Sequence, residues 1–342
     1  MGRIKKDNHY VPQAYLKQWA VGGKIPTYRL LVPHEKCGLW KNHSPSSIAK
    51  HQHLYTYFSG TEDSDEIERW LDRDFENPAI PSIAKVVREE RLAPEDWHNL
   101  FRFAVATSVR TPAGLESFIK RQSETLPDFL DNMLQTSVAT YESAIKRGIT
   151  LQSSTIEEPL NKLPLKVQRV EHEDGTAGIQ AKILNGRKMW IWQLRHLLTK
   201  TINRLPKYRW TILHAPQGFS WPTSDNPLVK LSTNAKNEYN FEAGWATPGV
   251  ELLLPLSPKH LLYTRVGDAR PPLRGTILSE QKARFFRKVI LESARRYVFA
   301  TDPREIDRIR PRTISQEWCI QEAEAWANWH EEQSKEEAEY PD

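Results

Sequence analysis

Cysteine is nearly missing from this sequence: there are two in 342 residues, Cys37 and Cys319. Two thiols so far apart give neither the paired spacing of a zinc knuckle nor a disulfide framework, and a reducing compartment is the simplest setting. No stretch approaches the roughly 18 consecutive apolar residues of a membrane span, and residues 1–25 contain no apolar secretory core. The expectation is a cytoplasmic chain that does not enter a membrane. The spacings of a phosphate-cradling P-loop and of a dinucleotide-binding glycine fingerprint are absent, and no internal repeat is visible. Ser47-Ile48-Ala49-Lys50 and Ser82-Ile83-Ala84-Lys85 both fit Ser-x-x-Lys, but no Lys-Thr-Gly strand follows and chance supplies such matches.

What is abundant is aromatic and charged. Twelve Trp, eleven Tyr and eleven Phe in a chain that is 39% hydrophobic are enough for a substantial core. The net charge of +5 hides an asymmetry. From Gln316 onward there are nine acidic residues against Lys335 alone, so residues 1–315 carry +13. Arg284, Arg287, Lys288 and Arg295 recur at helical spacing, with Phe285, Phe286, Val289 and Ile290 on the other side. Such a stripe is read either as a solvated helix face or as a track for phosphates, the second making affinity fall steeply with salt.

Periodicity gives an α+β protein: a helical N-terminal half packed with a mixed or antiparallel sheet, formed mainly by the C-terminal half and N-terminal strands. Strands are expected at 26–32, 53–58, 208–214, 219–222, 249–254, 261–266 and 297–300, where β-branched and aromatic residues stand between breakers. Helices are expected at 64–88 with a bend near Pro78 and Pro81, at 94–109, from 112 to about 146, and at 188–201, 279–294 and from 315. Residues 1–315 read as one domain with a loop-rich connection at about 148–187 that carries one or two short strands. Residues 316–342 read as an acidic helix and tail striped by Trp318, Trp326 and Trp329, whose acidic face is positioned to shield the Arg284 stripe.

Charged residues on faces that ought to be buried mark the candidate chemistry. On the helix starting near Ser64, with Ile67 as reference and about 100° per residue, Leu71 falls near 40°, Phe75 near 80° and Glu68 near 100°. Glu68 thus borders the apolar face, while Asp72 and Glu76 rotate toward water. Arg110 shares a face with Phe103 and Ala106 on the most apolar helix. A Glu68–Arg110 ion pair resolves both, as architecture or as a site. Thr223-Ser224-Asp225-Asn226-Pro227 reads as a turn closed by Asx side chains, or as a strand end that presents Asp225 to a pocket. His9 is a packing imidazole or an acid/base group near neutrality, and Gln13, four residues later, points the same way if that segment is helical. His51 and His53 alternate as strand residues, a weak zinc pattern without a third ligand.

The opening run Asp7-Asn8-His9-Tyr10-Val11-Pro12-Gln13-Ala14-Tyr15-Leu16 is followed in order by His53-Leu54-Tyr55, Arg110-Thr111-Pro112, the Thr223–Pro227 run and Leu254-Pro255-Leu256-Ser257-Pro258. This set resembles a bacterial family known as domain of unknown function 4238. Ala14 departs from it, an aromatic being usual after Gln13. The resemblance supplies no established reaction; it implies that these runs converge. The leading expectation is a hydrolase of phosphodiester or nucleotide substrates, nuclease-like and suited to a role in phage defence. In it His9 is the acid/base, Asp225 and Glu68 are bases or ligands of Mg²⁺ or Mn²⁺, and Arg110 stabilises developing charge, while Gln13, Ser224, Asn226, Arg284, Arg287 and Lys288 hold substrate. The alternative is a non-enzymatic nucleic-acid- or protein-binding module whose polar motifs are structural. A third is a sensor for a small anion.

Overall fold

Alternating apolar positions concentrate after residue 210, and there the chain builds its largest sheet. The computed structural model describes residues 4–34, 36–59, 62–149, 163–171, 177–206, 208–234, 238–267, 270–306 and 309–339. Six strands run in the order Tyr239–Asn240, Val229–Thr233, Glu251–Pro255, His260–Arg265, Thr211–His214 and Thr276–Ile277, antiparallel except for the last pair. Period-two alternation sends Leu213, Val229, Leu231, Leu253 and Leu261 to one face, where Ala283, Phe286, Val289 and Ile290 of the Glu280–Ser293 helix cover them. Ile212, Leu254 and Leu262 point the opposite way into the main core, which the helices of the N-terminal half share. The fold class is α+β.

A second sheet joins the two halves of the chain. Its strands run Thr223–Ser224, Tyr297–Phe299, Ile25–Arg29 and Trp40–His43, while Asp7–His9 pairs antiparallel with Lys50–Gln52. The Pro94–Val109 helix begins with Pro at its first position and with the Asp96 carboxylate accepting Ala93 N–H at 2.7 Å. Thr111 then caps the Pro112–Lys146 helix, its Oγ1 accepting Gly114 N–H at 3.1 Å. Among the described residues no helix is long and apolar enough to cross a membrane.

Several expectations change. The 53–58 run is not one strand: the ladder stops at Gln52, His53 adopts φ +53°, and Asn8 Oδ1 takes Tyr55 N–H at 3.0 Å, so a side chain replaces the ladder while Leu54 and Tyr55 enter the core. Residues 219–222 form no strand; pairing starts at Thr223, immediately after Pro222. The 64–88 helix is α over Glu66–Leu71, π over Asp72–Glu76 and α again over Asn77–Val87, so its irregularity precedes the prolines. The 148–187 connection does carry strands, as expected: a hairpin pairs Leu165–Glu171 with Ala177–Ile183, and residues 150–162 and 172–176 lie outside the described residues.

The terminal helix, Gln316–Ala338, is capped by Ser315 Oγ on Trp318 N–H at 3.0 Å. Trp326 and Trp329 pack on the main core. His51 stacks on Trp326 at 3.8 Å and His53 on His330 at 3.9 Å, so both histidines do face one way, toward residues four apart on this helix. The shielding of the Arg284 stripe is corrected. Glu322 pairs with Arg296 and Glu337 with the fully buried Arg187, whereas Arg284 and Lys288 pair with Glu280 and Glu292 of their own helix.

Candidate functional site

Arg110 stands where the Pro94–Val109 helix ends, and its side chain is 1% exposed. Its NH1 donates to Glu76 Oε1, and its NH2 donates to the His9 carbonyl at 2.6 Å and lies 3.7 Å from Glu68 Oε2. The Tyr55 hydroxyl donates to the Arg110 carbonyl, and its ring lies 5.6 Å from the guanidinium carbon. Burial opposes the charge, but Glu76, Tyr55 and Glu68 together hold the guanidinium pKa above its ordinary value.

The pair expected between Glu68 and Arg110 is present, and Glu76 is the closer partner. A π turn advances roughly 80° per residue rather than about 100°, so five such residues bring Glu76 about 100° back, to the flank that Glu68 occupies. That rotation places Glu76 inside, at 12% exposure, where uniform α-helical counting sends it to water. Lys5 closes the cluster, its Nζ 3.1 Å from Glu68 Oε1 and 2.9 Å from Asp72 Oδ2. Burial pushes the Glu68 carboxyl above the usual carboxylate range, against Arg110 and Lys5, and its Oε2 is buried without a hydrogen bond.

His9 and Gln13 meet although no helix spans them: His9 ends the Asp7–His9 strand and Gln13 opens the helical turn Gln13–Leu16. The Gln13 amide nitrogen is 3.3 Å from His9 Nδ1, and His9 Nε2 is 3.3 Å from the Ser46 carbonyl. These contacts define one tautomer: Nε2–H donates to Ser46 and Nδ1 accepts from Gln13. Burial, with Lys50, Lys5 and Arg110 adding to it, lowers the His9 pKa and keeps the ring neutral.

Asp225 belongs to a different set of contacts. Its two oxygens accept Arg295 N–H at 2.9 Å and Arg296 N–H at 2.8 Å, and its own N–H donates to the Tyr297 carbonyl at 3.1 Å. Burial raises the carboxyl pKa, opposed by the backbone of Arg295, Arg296 and Tyr297 and by the Arg296 charge. Ser224 Oγ accepts Asn226 N–H at 3.1 Å, and Asn226 Nδ2 donates to the Ser293 carbonyl at 3.1 Å. The turn therefore staples the end of the Glu280–Ser293 helix to the strand that follows it. Burial, then Asp225 and Tyr297, raise the pKa of the nearby Tyr10 phenol, with Arg296 opposing and Tyr55 contributing.

The opening run and the two later runs do meet. The Tyr15 hydroxyl donates to the Pro255 carbonyl at 2.6 Å and lies 2.7 Å from Thr223 Oγ1, while Trp19 Nε1 donates to the Trp221 carbonyl at 2.7 Å. Beside Glu76 is a cavity of about 20 Å³ lined by Pro12, Tyr15, Gln18 and Phe103, room for one water and not for a nucleotide. Three or more potential metal ligands converge at two places among the described residues, and neither includes Glu68 or Asp225. On the outer helix Arg284 and Lys288 are exposed in i,i+4 pairs, and the Arg287 guanidinium lies 4.0 Å from the centre of the Phe219 ring.

Sequence reading misses three participants. Glu76 is hidden by the π turn, and Tyr55 by its place in a run that reads as strand. Arg187 donates from Nε and NH2 to Glu337 at 2.8 and 2.7 Å and from its backbone to Gln333 at 2.6 Å, a pairing 150 residues apart that no local signal announces. No curated protein and no solved structure matches the chain. A family model described as Protein of unknown function (DUF4238) matches residues 7–304, a span that holds all the motif runs and leaves out the terminal helix, and the chain belongs to that family.

Proposed function

We propose that this chain is a cytoplasmic nucleic-acid-binding module whose polar motifs are architectural. The observation that carries the reading is the state of Arg110: it is enclosed, with donors directed at Glu76 and the His9 carbonyl and Glu68 close by, so this buried cation is turned to internal partners and away from any phosphate outside. His9 and Asp225 are likewise engaged, one by a carbonyl and an amide, the other by backbone N–H groups. Recognition then falls to the outside, where residues 1–315 carry +13. The exposed ion pairs along the Glu280–Ser293 helix are worth only about 0–1 kcal/mol each and open easily to a phosphate.

The test is fluorescence anisotropy of labelled single- and double-stranded DNA and RNA, in EDTA and in Mg²⁺ or Mn²⁺. Binding without cleavage is expected, with log affinity falling linearly in log salt. Replacing Arg284, Arg287 and Lys288 together by Ala should reduce that slope by roughly 2–3. An unchanged slope removes this surface from the proposal. A second reading is a phosphodiester hydrolase that uses His9, Glu68, Arg110 and Asp225 with Mg²⁺ or Mn²⁺. It is favoured by the buried Glu68 Oε2, which lacks a hydrogen bond. Metal-dependent cleavage abolished by Glu68→Gln would put it in place of the first.

A further inference from the structure

The Asn77–Val87 helix ends in a turn that glycine ordinarily closes. Glu89 N–H donates to the Val86 carbonyl at 3.0 Å and Glu90 N–H to the Lys85 carbonyl at 2.9 Å, the paired bonds of a Schellman end. The residue in the left-handed position is Glu89, at φ +58°, where an L side chain is strained and glycine is not. Strain of this kind persists where something else requires the side chain.

What Glu89 carries is a carboxylate set against two histidines. Its Oε1 lies 3.9 Å from His214 Nδ1 and 3.9 Å from His260 Nε2. The histidines are direct partners in the antiparallel ladder between Thr211–His214 and His260–Arg265. Their rings meet edge-on at 86°, with centroids 4.8 Å apart, and one ligand atom from each of the three residues lies within 4.8 Å of the others. His260 is 4% exposed, and its Nε2 is buried with no hydrogen-bond partner. A buried ring nitrogen left this way is uncommon enough to need an explanation.

We propose that Glu89, His214 and His260 bind one divalent transition-metal ion of the zinc type, through a Glu89 carboxylate oxygen, His214 Nδ1 and His260 Nε2, with a further position open to an oxygen ligand such as water, a carboxylate or a phosphate. Two imidazoles and a carboxylate suit Zn²⁺ and its neighbours, whereas Mg²⁺ and Ca²⁺ take all-oxygen sets. His260 Nδ1 lies 2.8 Å from Ser257 Oγ; when Nδ1–H donates there, the Nε2 lone pair faces Glu89, the arrangement metal-bound histidines ordinarily have. Bonds of about 2.0–2.1 Å in a tetrahedron put ligand atoms roughly 3.4 Å apart, so the two 3.9 Å separations from Glu89 close with shifts of about half an ångström, and the two histidine nitrogens, within 4.8 Å of each other, draw together by up to about 1.4 Å. Glu89, 69% exposed on its turn, has the freedom to supply its own part of them.

Arg274 is the further charged group that acts on His260 beside Glu89 and His214. Arg274 is itself turned onto the Glu90 carbonyl at 2.5 Å. The other cluster, His53, Asp63 and His330, also holds a buried ring nitrogen without a partner, His53 Nδ1, but its other groups are engaged. His330 spends Nδ1 on Arg187 at 2.9 Å and Nε2 on Asp63 at 3.0 Å, and its ring lies nearly parallel to that of His53, so lone pairs run side by side. It serves as an internal control.

The experiment strips the full chain with EDTA, titrates it calorimetrically with ZnCl₂ alone and follows its thermal midpoint. One Zn²⁺ per chain and a midpoint that rises with Zn²⁺ are expected. Glu89→Gly should raise the metal-free midpoint, because glycine relieves the left-handed strain, and yet weaken Zn²⁺ binding by at least roughly 100-fold. His214→Gln should weaken it comparably, and His53→Gln should leave it unchanged. Absence of saturable binding, binding that survives Glu89→Gly or His214→Gln, or binding lost in His53→Gln overturns the assignment. Because the Glu89 variant is expected to be the more stable protein, its lost affinity does not reduce to misfolding.

Discussion

Glu68 and Glu76 flank the same guanidinium, yet neutralising them should have opposite consequences. Three carboxylates, Glu68, Asp72 and Glu76, surround two cations, Lys5 and Arg110, so the cluster holds one negative charge too many. Glu68 is the more enclosed, at 1% exposure, and one of its oxygens has no hydrogen bond. Burial raises its pKa in the folded state, so the folded chain holds that proton more tightly than the unfolded chain. The associated stability is fully present below about pH 4.5 and is lost as pH rises through the folded value. Glu68→Gln removes this loss, so at pH 7 the variant should equal or exceed the parent, with an advantage that shrinks toward pH 4.5. Glu76→Gln instead removes the charge from the hydrogen-bonded counterion, at a cost of about 1.5–3 kcal/mol. Arg110→Met strands both carboxylates and should cost about 3–5 kcal/mol. With an unfolding entropy of about 2.1 cal/mol/K per residue, 3 kcal/mol shifts the midpoint of a chain this long by roughly 4 °C. Calorimetric melts of the three variants at pH 7.0 and 5.0 separate these outcomes. If Glu68→Gln loses as much as Glu76→Gln at pH 7, Glu68 is the working counterion and the reasoning from the π turn fails.

Asp225→Asn leaves one of the Arg295 and Arg296 N–H groups without its acceptor and should cost about 1–3 kcal/mol, read as a lower urea midpoint; an unaltered midpoint would show the turn to be held by other bonds. His51, packed against Tyr10 and Trp326, is pushed down to about 4 by burial and by Arg296. A lowered histidine stabilises the fold above its unfolded pKa near 6.5 and loses that contribution as pH falls toward 4, so His51→Phe should flatten the stability profile across that window, and an identical profile would count against burial as the cause. Glu337→Gln leaves Arg187 buried beside an uncharged partner and should cost about 3–5 kcal/mol, with Trp emission shifting red as the terminal helix loosens, whereas exposed Glu332→Gln should stay within about 0.5 kcal/mol.

Helices with chemical punctuation were readable to the residue: Pro94 and the Arg110-Thr111-Pro112 stop bound one, and Thr111 opens the next. The Glu68–Arg110 pair followed from the cost of burying charge, whereas the His9–Gln13 contact forms across a strand end and a helix start, without the helical spacing expected to produce it. What stayed hidden depends on partners that local sequence does not name. Glu76 turns inward through a change of helical pitch, Asp225 caps N–H groups 70 and 71 residues ahead, and Asn8 ends a strand by substituting for its neighbour. The facing of His214 and His260 is a fact of strand register, which alternation within either strand leaves undetermined.

The clamp on Arg187 also sets an order of assembly. Its carboxylate partner lies 150 residues further along the chain, so the guanidinium stays in water until the last helix arrives. Closing a flexible loop of that length costs about 4 kcal/mol in chain entropy, and only the finished surface that receives Trp326 and Trp329 repays it. Docking is therefore late in folding and first to reverse. Amide exchange should find Gln316–Ala338 opening as a unit below the global unfolding energy, with Trp190 and its helix, which begins at Arg187, the next to follow.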